Sequence, residues 1–175
     1  YINYPNNPTG AVATKAFYEK LVAWAKTYEV GVVSDLAYGA LGYRGYENPS
    51  FLSTPGAKDV GIEFYTFSKT FNMADWRLAF AAGNARMIEA LNLIQDHLFV
   101  GIFPALQEAG IAALLDPKSE EAVAQLNAVY DSRRDAFTQS AAKIGWQAFP
   151  SKGSFYAWMP VPEGYTSESF ADLLL

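Results

Sequence analysis

The stretch Val30-Gly31-Val32-Val33-Ser34-Asp35-Leu36-Ala37-Tyr38 sets the architecture. It opens as a short apolar run, the pattern of a strand covered on both faces, and turns polar at Asp35. Upstream, the pattern predicts a helix from Thr14 to Tyr28, with Thr14 as its N-cap and Phe17, Leu21, Trp24, Ala25 and Tyr28 on one face. Before that helix, Tyr1 to Tyr4 is β-prone and is ended by Pro5 and Asn6-Asn7-Pro8. Downstream, Ile62 to Phe67 and Leu78 to Ala82 read as two more strands. Strands alternating with helices predict an α/β sheet with helices packed on its faces.

Further along, the pattern is helical from Arg86 to Leu115, interrupted at Gly101 and Pro104 and broken by Pro117. Ser119-Glu120-Glu121 starts a long helix, with a hydroxyl cap and then carboxylates favoured by the helix dipole. That helix is expected to reach Lys143 and to end at Gly145. Trp146 to Phe149 and Phe155 to Val161 read as strands, followed by a helix from Ser167. A boundary is expected near Pro117, with residues 1–116 as one unit and residues 117–175 as a linking helix and the start of a second α+β domain. The chain opens at Tyr1 inside a strand-like segment and stops at Leu175 inside a helical one, so both ends read as cut.

Composition narrows the chemistry. The 175 residues are 51% hydrophobic and 15% aromatic, enough for a packed core. A net charge of −5 disfavours nucleic acid and anionic membrane surfaces as partners. With no cysteine, disulfides and thiolate metal sites are excluded. His97 is the only histidine, and it reads as a helix-surface residue in the run from Ile94 to Val100. No metal site is expected. No stretch approaches the ~18 apolar residues of a membrane span and no signal peptide is visible, so a cytoplasmic protein is the expectation.

Four short clusters carry the chemistry: Asn7-Pro8-Thr9-Gly10, Asp35-Leu36-Ala37-Tyr38, Thr66-Phe67-Ser68-Lys69 and Arg77. Together they can hold an aromatic aldehyde with a phosphate tail. Lys69 follows an apolar strand and offers an amine for an imine. Asp35 closes another strand and offers a carboxylate for a ring nitrogen. Tyr38 and Asn7 can hydrogen-bond a ring phenolate. Arg77 offers a fork for phosphate, and the hydroxyls of Thr66 and Ser68 can add hydrogen bonds. Taken singly, each cluster has a plain reading as a turn or a solvated residue. The ordered set is what is informative.

This order resembles the pyridoxal-phosphate aminotransferases of class I/II, the aspartate aminotransferase family of fold type I. That family has Asn-Pro-Thr-Gly, then Asp-x-Ala-Tyr, then Ser-Lys, then an arginine eight residues after the lysine. Pro55 to Val60 and Ser68 to Met73 look closest to its LL-diaminopimelate and alanine/aspartate-like branch. The resemblance implies pyridoxal 5′-phosphate as cofactor, Lys69 as Schiff-base lysine and proton shuttle, Asp35 on the pyridine nitrogen, and Asn7 and Tyr38 on the phenolate. It places Thr66, Ser68 and Arg77 at the phosphate. The fold it implies is part of the large domain, a mixed, mostly parallel sheet with helices on both faces, plus the start of the small domain. It further implies amino-acid and 2-oxo-acid substrates, and a homodimer.

Two departures stand out. Asp75 occupies a position where the family usually has glycine. None of Arg44, Arg86, Arg133 and Arg134 matches the arginine that grips the substrate carboxylate. A C–S lyase or synthase on the same fold, or a non-catalytic regulatory or interaction module, are the alternatives.

Overall fold

The computed structural model describes residues 1–149 and 151–175. Four strands form one sheet in chain order: β1 (Ile2–Asn3), β2 (Val32–Asp35), β3 (Gly61–Thr66) and β4 (Ala79–Gly83). The first three run parallel and β4 is antiparallel to β3. The sheet is therefore mixed and mostly parallel, as expected. In β2, Val32 and Ser34 are buried, while Val33 and Asp35 on the other face are half-buried. The strand is covered more fully on one side than the apolar run predicts.

Helix α1 (Lys15–Thr27) starts where the sequence placed it: the Thr14 hydroxyl accepts from Phe17 N at 3.2 Å. Its buried stripe, however, is Tyr18, Val22 and Ala25. Of the expected face, Phe17, Trp24 and Tyr28 are exposed, Tyr28 to 64%. Both stripes have helical spacing, and the sheet selects the one whose residues fit against Val32 and Phe51. Trp24 and Tyr28 instead pack on one another at 5.5 Å between centroids, while Phe17 lies against Tyr4 and Tyr18 at 5.5 and 5.7 Å.

Tyr18, Val22, Ala25, Val32, Phe51 and Ala57 make the principal core. Ala57 belongs to the short α2 (Ala57–Val60). Glu63, in the middle of β3, is only 6% exposed. Its carboxylate accepts from Ser34 Oγ at 2.9 Å, Ser50 Oγ at 2.5 Å and Phe51 N at 2.8 Å. A buried carboxylate satisfied in this way ties β2, β3 and the Phe51–Ser53 turn together.

After β3 come α3 (Phe67–Thr70), a single 3-10 turn (Ala74–Trp76) and β4. Beyond β4 the named elements are helical: α4 (Ala85–Ile94), a π-helical turn (Gln95–Phe99), α5 (Pro104–Leu115), α6 (Ser119–Lys143) and α7 (Ser167–Leu174). His97 lies in the π turn and is exposed, in line with its surface reading. The helix α6 spans the expected residues, and Gly145 follows its end at φ 78°, a left-handed conformation suited to glycine.

Two local expectations fail. Ser119 does not cap α6. Lys118 holds that position, and the Ser119 hydroxyl instead donates to Ala113 O at 2.5 Å, linking α6 back to α5. Trp146 to Phe149 and Phe155 to Val161 are irregular rather than strands. A strand needs a ladder of backbone partners, and here Phe149 N to Trp158 O, at 2.7 Å, is the backbone bond that joins them.

Candidate active site

Because β1, β2 and β3 are parallel, their carboxyl ends share one edge of the sheet, with Asn3 level with Asp35 and Asp35 level with Phe64. Ligands of open α/β sheets gather at such an edge. Asp35 is the last residue of β2, Thr66 is the last of β3, and β1 runs out into the turn that carries Asn7. Asn3 pins this corner. Its side-chain oxygen accepts from Asn7 N at 2.8 Å, and its amide donates to Asp35 O at 3.0 Å.

Asn7, Asp35 and Tyr38 line one hollow of about 470 Å³, together with Tyr1, Asn3 and Asn6. One Asp35 oxygen accepts from the Tyr1 hydroxyl at 2.5 Å, a bond that pushes the Tyr1 hydroxyl up to about 12. The other oxygen has no side-chain partner among the described residues. Tyr38 is buried, and its hydroxyl lies 3.2 Å from that of Tyr156. Burial first, then this contact, pushes the Tyr38 hydroxyl above the usual tyrosine range, while a hydrogen bond from the Asn7 side chain pulls it down. Asn7 and Tyr38 thus meet at the Tyr38 hydroxyl.

Lys69 stands on α3, whose first turn is capped by the Thr66 hydroxyl accepting from Ser68 N at 3.2 Å. It is half-buried, with Nζ 5.4 Å from the centre of the Phe155 ring. That ring also meets the Tyr38 ring edge-on at 5.3 Å, so Phe155 joins the lysine to the hollow. Thr66 and Asp35 share a second, smaller hollow of about 240 Å³. Phe67 N at 3.1 Å and the Thr66 hydroxyl at 3.3 Å both reach Leu78 O, which brings the neighbouring Arg77 back to the start of α3. Arg77 has φ 52° and is exposed, its guanidinium on Ala74 O at 2.9 Å. Among the described residues no carboxylate pairs with it, Asp75 included. Ser68, Lys69 and Arg77 line neither hollow.

The donor set fits a ring with a phenolate, a ring nitrogen, an aldehyde and a phosphate. A carboxylate with one oxygen open, an amide and a hydroxyl able to bond a phenolate, an amine, and a guanidinium with no carboxylate partner among the described residues lie near one sheet edge. A larger hollow of about 650 Å³ lies elsewhere, between residues 43–46, α6 and the described residues Ala148, Phe149, Ser151, Lys152, Tyr156 and Ala157. Its two arginines are paired: Arg44 with Asp135 at 3.0 Å, and Arg134 with Asp135 at 2.8 Å and Asp131 at 2.6 Å, while Lys152 lies over the Tyr46 ring at 5.5 Å. Neither arginine is free to grip a substrate there.

The sequence profile of aminotransferase class I and II matches residues 1–175, the whole chain. The chain belongs to the class I and II aminotransferases. It is similar to the L-glutamine–4-(methylsulfanyl)-2-oxobutanoate aminotransferase of Bacillus subtilis, 58% identical over 175 residues, covering 100% of this chain and 44% of that protein. The LL-diaminopimelate aminotransferase of Moorella thermoacetica is 49% identical over the same length, again with 100% and 44% covered. Among solved structures, substrate-bound BacF from Bacillus subtilis superposes with a TM-score of 0.94 at 48% identity, covering 99% of this chain and 44% of that one. The chain therefore spans less than half the length of these relatives.

These aminotransferases depend on pyridoxal 5′-phosphate and share the fold type I sheet, which agrees with the resemblance carried by the four clusters. Sequence reading missed several residues that meet at this edge: Tyr1 on Asp35, Asn3 beneath Asn7, and Phe155 and Tyr156 over Tyr38. Tyr156 lies 118 residues from Tyr38 and Phe155 directly precedes it, so no local pattern announces them. The one hint is Gly153 ahead of a paired Phe155-Tyr156.

Proposed function

We propose that this aminotransferase chain is the cofactor-bearing part of a longer protein that transfers an amino group between an amino acid and a 2-oxo acid. The observation that carries this reading is the convergence of Asn7, Asp35 and Tyr38 on one hollow at the ends of parallel strands, with Lys69 joined to it through Phe155. Bound pyridoxal phosphate supplies an aldehyde for amines and a ring that accepts electrons from the substrate carbon.

Lys69 would supply the amine that holds that aldehyde, and its Nζ would take up and return a proton as base and then acid. Asp35 would hold a proton on the ring nitrogen. Asn7 and Tyr38 hydrogen-bond the ring oxygen and orient it. Thr66, Ser68 and Arg77 hold the phosphate, with Arg77 as the permanent charge. The relatives named above are transaminases, which favours amino-group transfer over the lyase and non-catalytic alternatives.

Residues 1–116 are assigned to the large domain and residues 117–175 to the linking helix and the start of the small one. Homodimeric assembly and a cytoplasmic location belong to the same reading. Family membership supports it, and no described helix is long and apolar enough to cross a membrane. The test is borohydride reduction of the parent protein with pyridoxal phosphate, followed by peptide mapping. A covalent label on Lys69, abolished in Lys69→Ala, is expected. An unlabelled Lys69 would overturn the proposal.

A further inference from the structure

The segment after α6 returns to the sheet edge and closes over Tyr38. Gly153 bridges to Gly42, and the Tyr156 ring stands edge-on to Tyr38 at 5.8 Å and tilted against Phe155 at 5.0 Å. The Tyr156 hydroxyl then lies 3.2 Å from that of Tyr38, and among the described residues it has no other hydrogen-bond partner.

We propose that Tyr156 is a positioning residue whose hydroxyl donates to Tyr38 and so commits the Tyr38 proton to the ring oxygen of the cofactor. The inference rests on the functional reading above, in which Tyr38 faces a phenolate. Each tyrosine hydroxyl has one proton to give. Facing an anion on one side and a neutral hydroxyl on the other, Tyr38 gives its proton to the anion, because the charge-assisted bond is the stronger. The contact between the two tyrosines is then made by the Tyr156 proton. A donor chain of this kind strengthens its last bond. Burial of Tyr38 keeps water from taking the place of Tyr156.

Hydrogen bonds to the ring oxygen favour the state in which that oxygen bears its full negative charge, after the neighbouring nitrogen has lost its proton. Weakening them therefore raises the pH at which that proton leaves. Tyr156→Phe keeps the ring and removes only the hydroxyl.

The experiment is a pH titration of the visible absorbance band of the parent protein loaded with pyridoxal phosphate, for wild type, Tyr156→Phe, Tyr38→Phe and the double variant, with borohydride labelling of each. Tyr156→Phe is expected to raise the midpoint by about half a pH unit, and to add nothing in the Tyr38→Phe background. A labelled Tyr156→Phe protein with an unmoved midpoint overturns the role of Tyr156 and leaves the functional reading standing. So does an equal shift in the Tyr38→Phe background, since Tyr156 would then not act through Tyr38. Wild type without label overturns both.

Discussion

Asp35 is held by neighbours on one side and open on the other. Asn3 and Tyr1 fix its backbone and one carboxylate oxygen, leaving the second oxygen for a ligand cation. A carboxylate set in this way can stabilise a protonated ring nitrogen without helping to anchor the phosphate, so its two contributions separate. In the parent protein, Asp35→Ala is expected to retain cofactor by absorbance while kcat falls on the order of 100-fold. That equals ~2.7 kcal/mol of barrier, within the range of a hydrogen bond to a charged group. Asp75 poses the opposite case. It is an exposed carboxylate two residues before Arg77, the residue proposed to hold the phosphate, where the family usually has glycine. Since no ion pair ties it to Arg77, its charge opposes a bound phosphate across solvent. Asp75→Gly should tighten pyridoxal phosphate about two- to five-fold, and more so at low salt, as measured by fluorescence titration. Equal affinities at low salt would show that Asp75 does not act on the phosphate.

Among the elements, the three parallel strands and α1 were legible because each is local: an apolar run, a hydroxyl cap, a polar exit. Asp35, Thr66 and Lys69 could be placed for the same reason, since a strand end is written in its own sequence. The buried stripe of α1 was not legible, because Phe17-Leu21-Trp24 and Tyr18-Val22-Ala25 are both helical faces and only the sheet decides between them. The irregular segment after α6 was not legible either, since its conformation is set by distant partners rather than by its β-prone residues. There, a Cβ at Gly153 would lie 2.7 Å from Pro5 Cγ and 2.9 Å from Leu41 O. Gly153→Ala must therefore lift the segment that places Phe155 and Tyr156 over Tyr38. The expected cost is about 1–3 kcal/mol by denaturant unfolding, with weakened cofactor binding. The other anchor of this region is electrostatic. The Arg134 hydrogen bond, ahead of its charge and that of Arg44, holds the Asp135 carboxyl below the ordinary carboxylate range. A depressed folded-state pKa gives stability that is present above the ordinary value and lost as pH falls through the depressed one. Loosening of α6 from residues 43–46 is therefore expected only in acid below the carboxylate range, and Asp135→Asn should remove that acid dependence.

Over the whole molecule, apolar surface is unevenly distributed. Leu98, Phe99, Val100 and Phe103 are 71%, 66%, 87% and 69% exposed, and they sit together around the link between α4 and α5. Leu93 and Ile94 at the end of α4 and Leu114 and Leu115 at the end of α5 are also exposed. Scattered exposed leucines are normal on any protein surface, but a contiguous run of large side chains is not. Each fully buried large side chain contributes about 1.5–3 kcal/mol, so pairing such surfaces favours association strongly. The 175-residue chain produced alone is therefore expected to self-associate at micromolar concentration and to bind an apolar dye. Analytical ultracentrifugation across a dilution series measures this directly. Phe99→Ser with Phe103→Ser should shift the distribution toward monomer and reduce dye binding, while leaving the circular dichroism of the sheet and helices in place. The reasoning is specific to this surface: Phe99 and Phe103 contribute nothing to the buried core around Tyr18 and Phe51, so their loss should cost association and not folding. A chain that sediments as monomer before any substitution would show that the exposed link does not drive assembly.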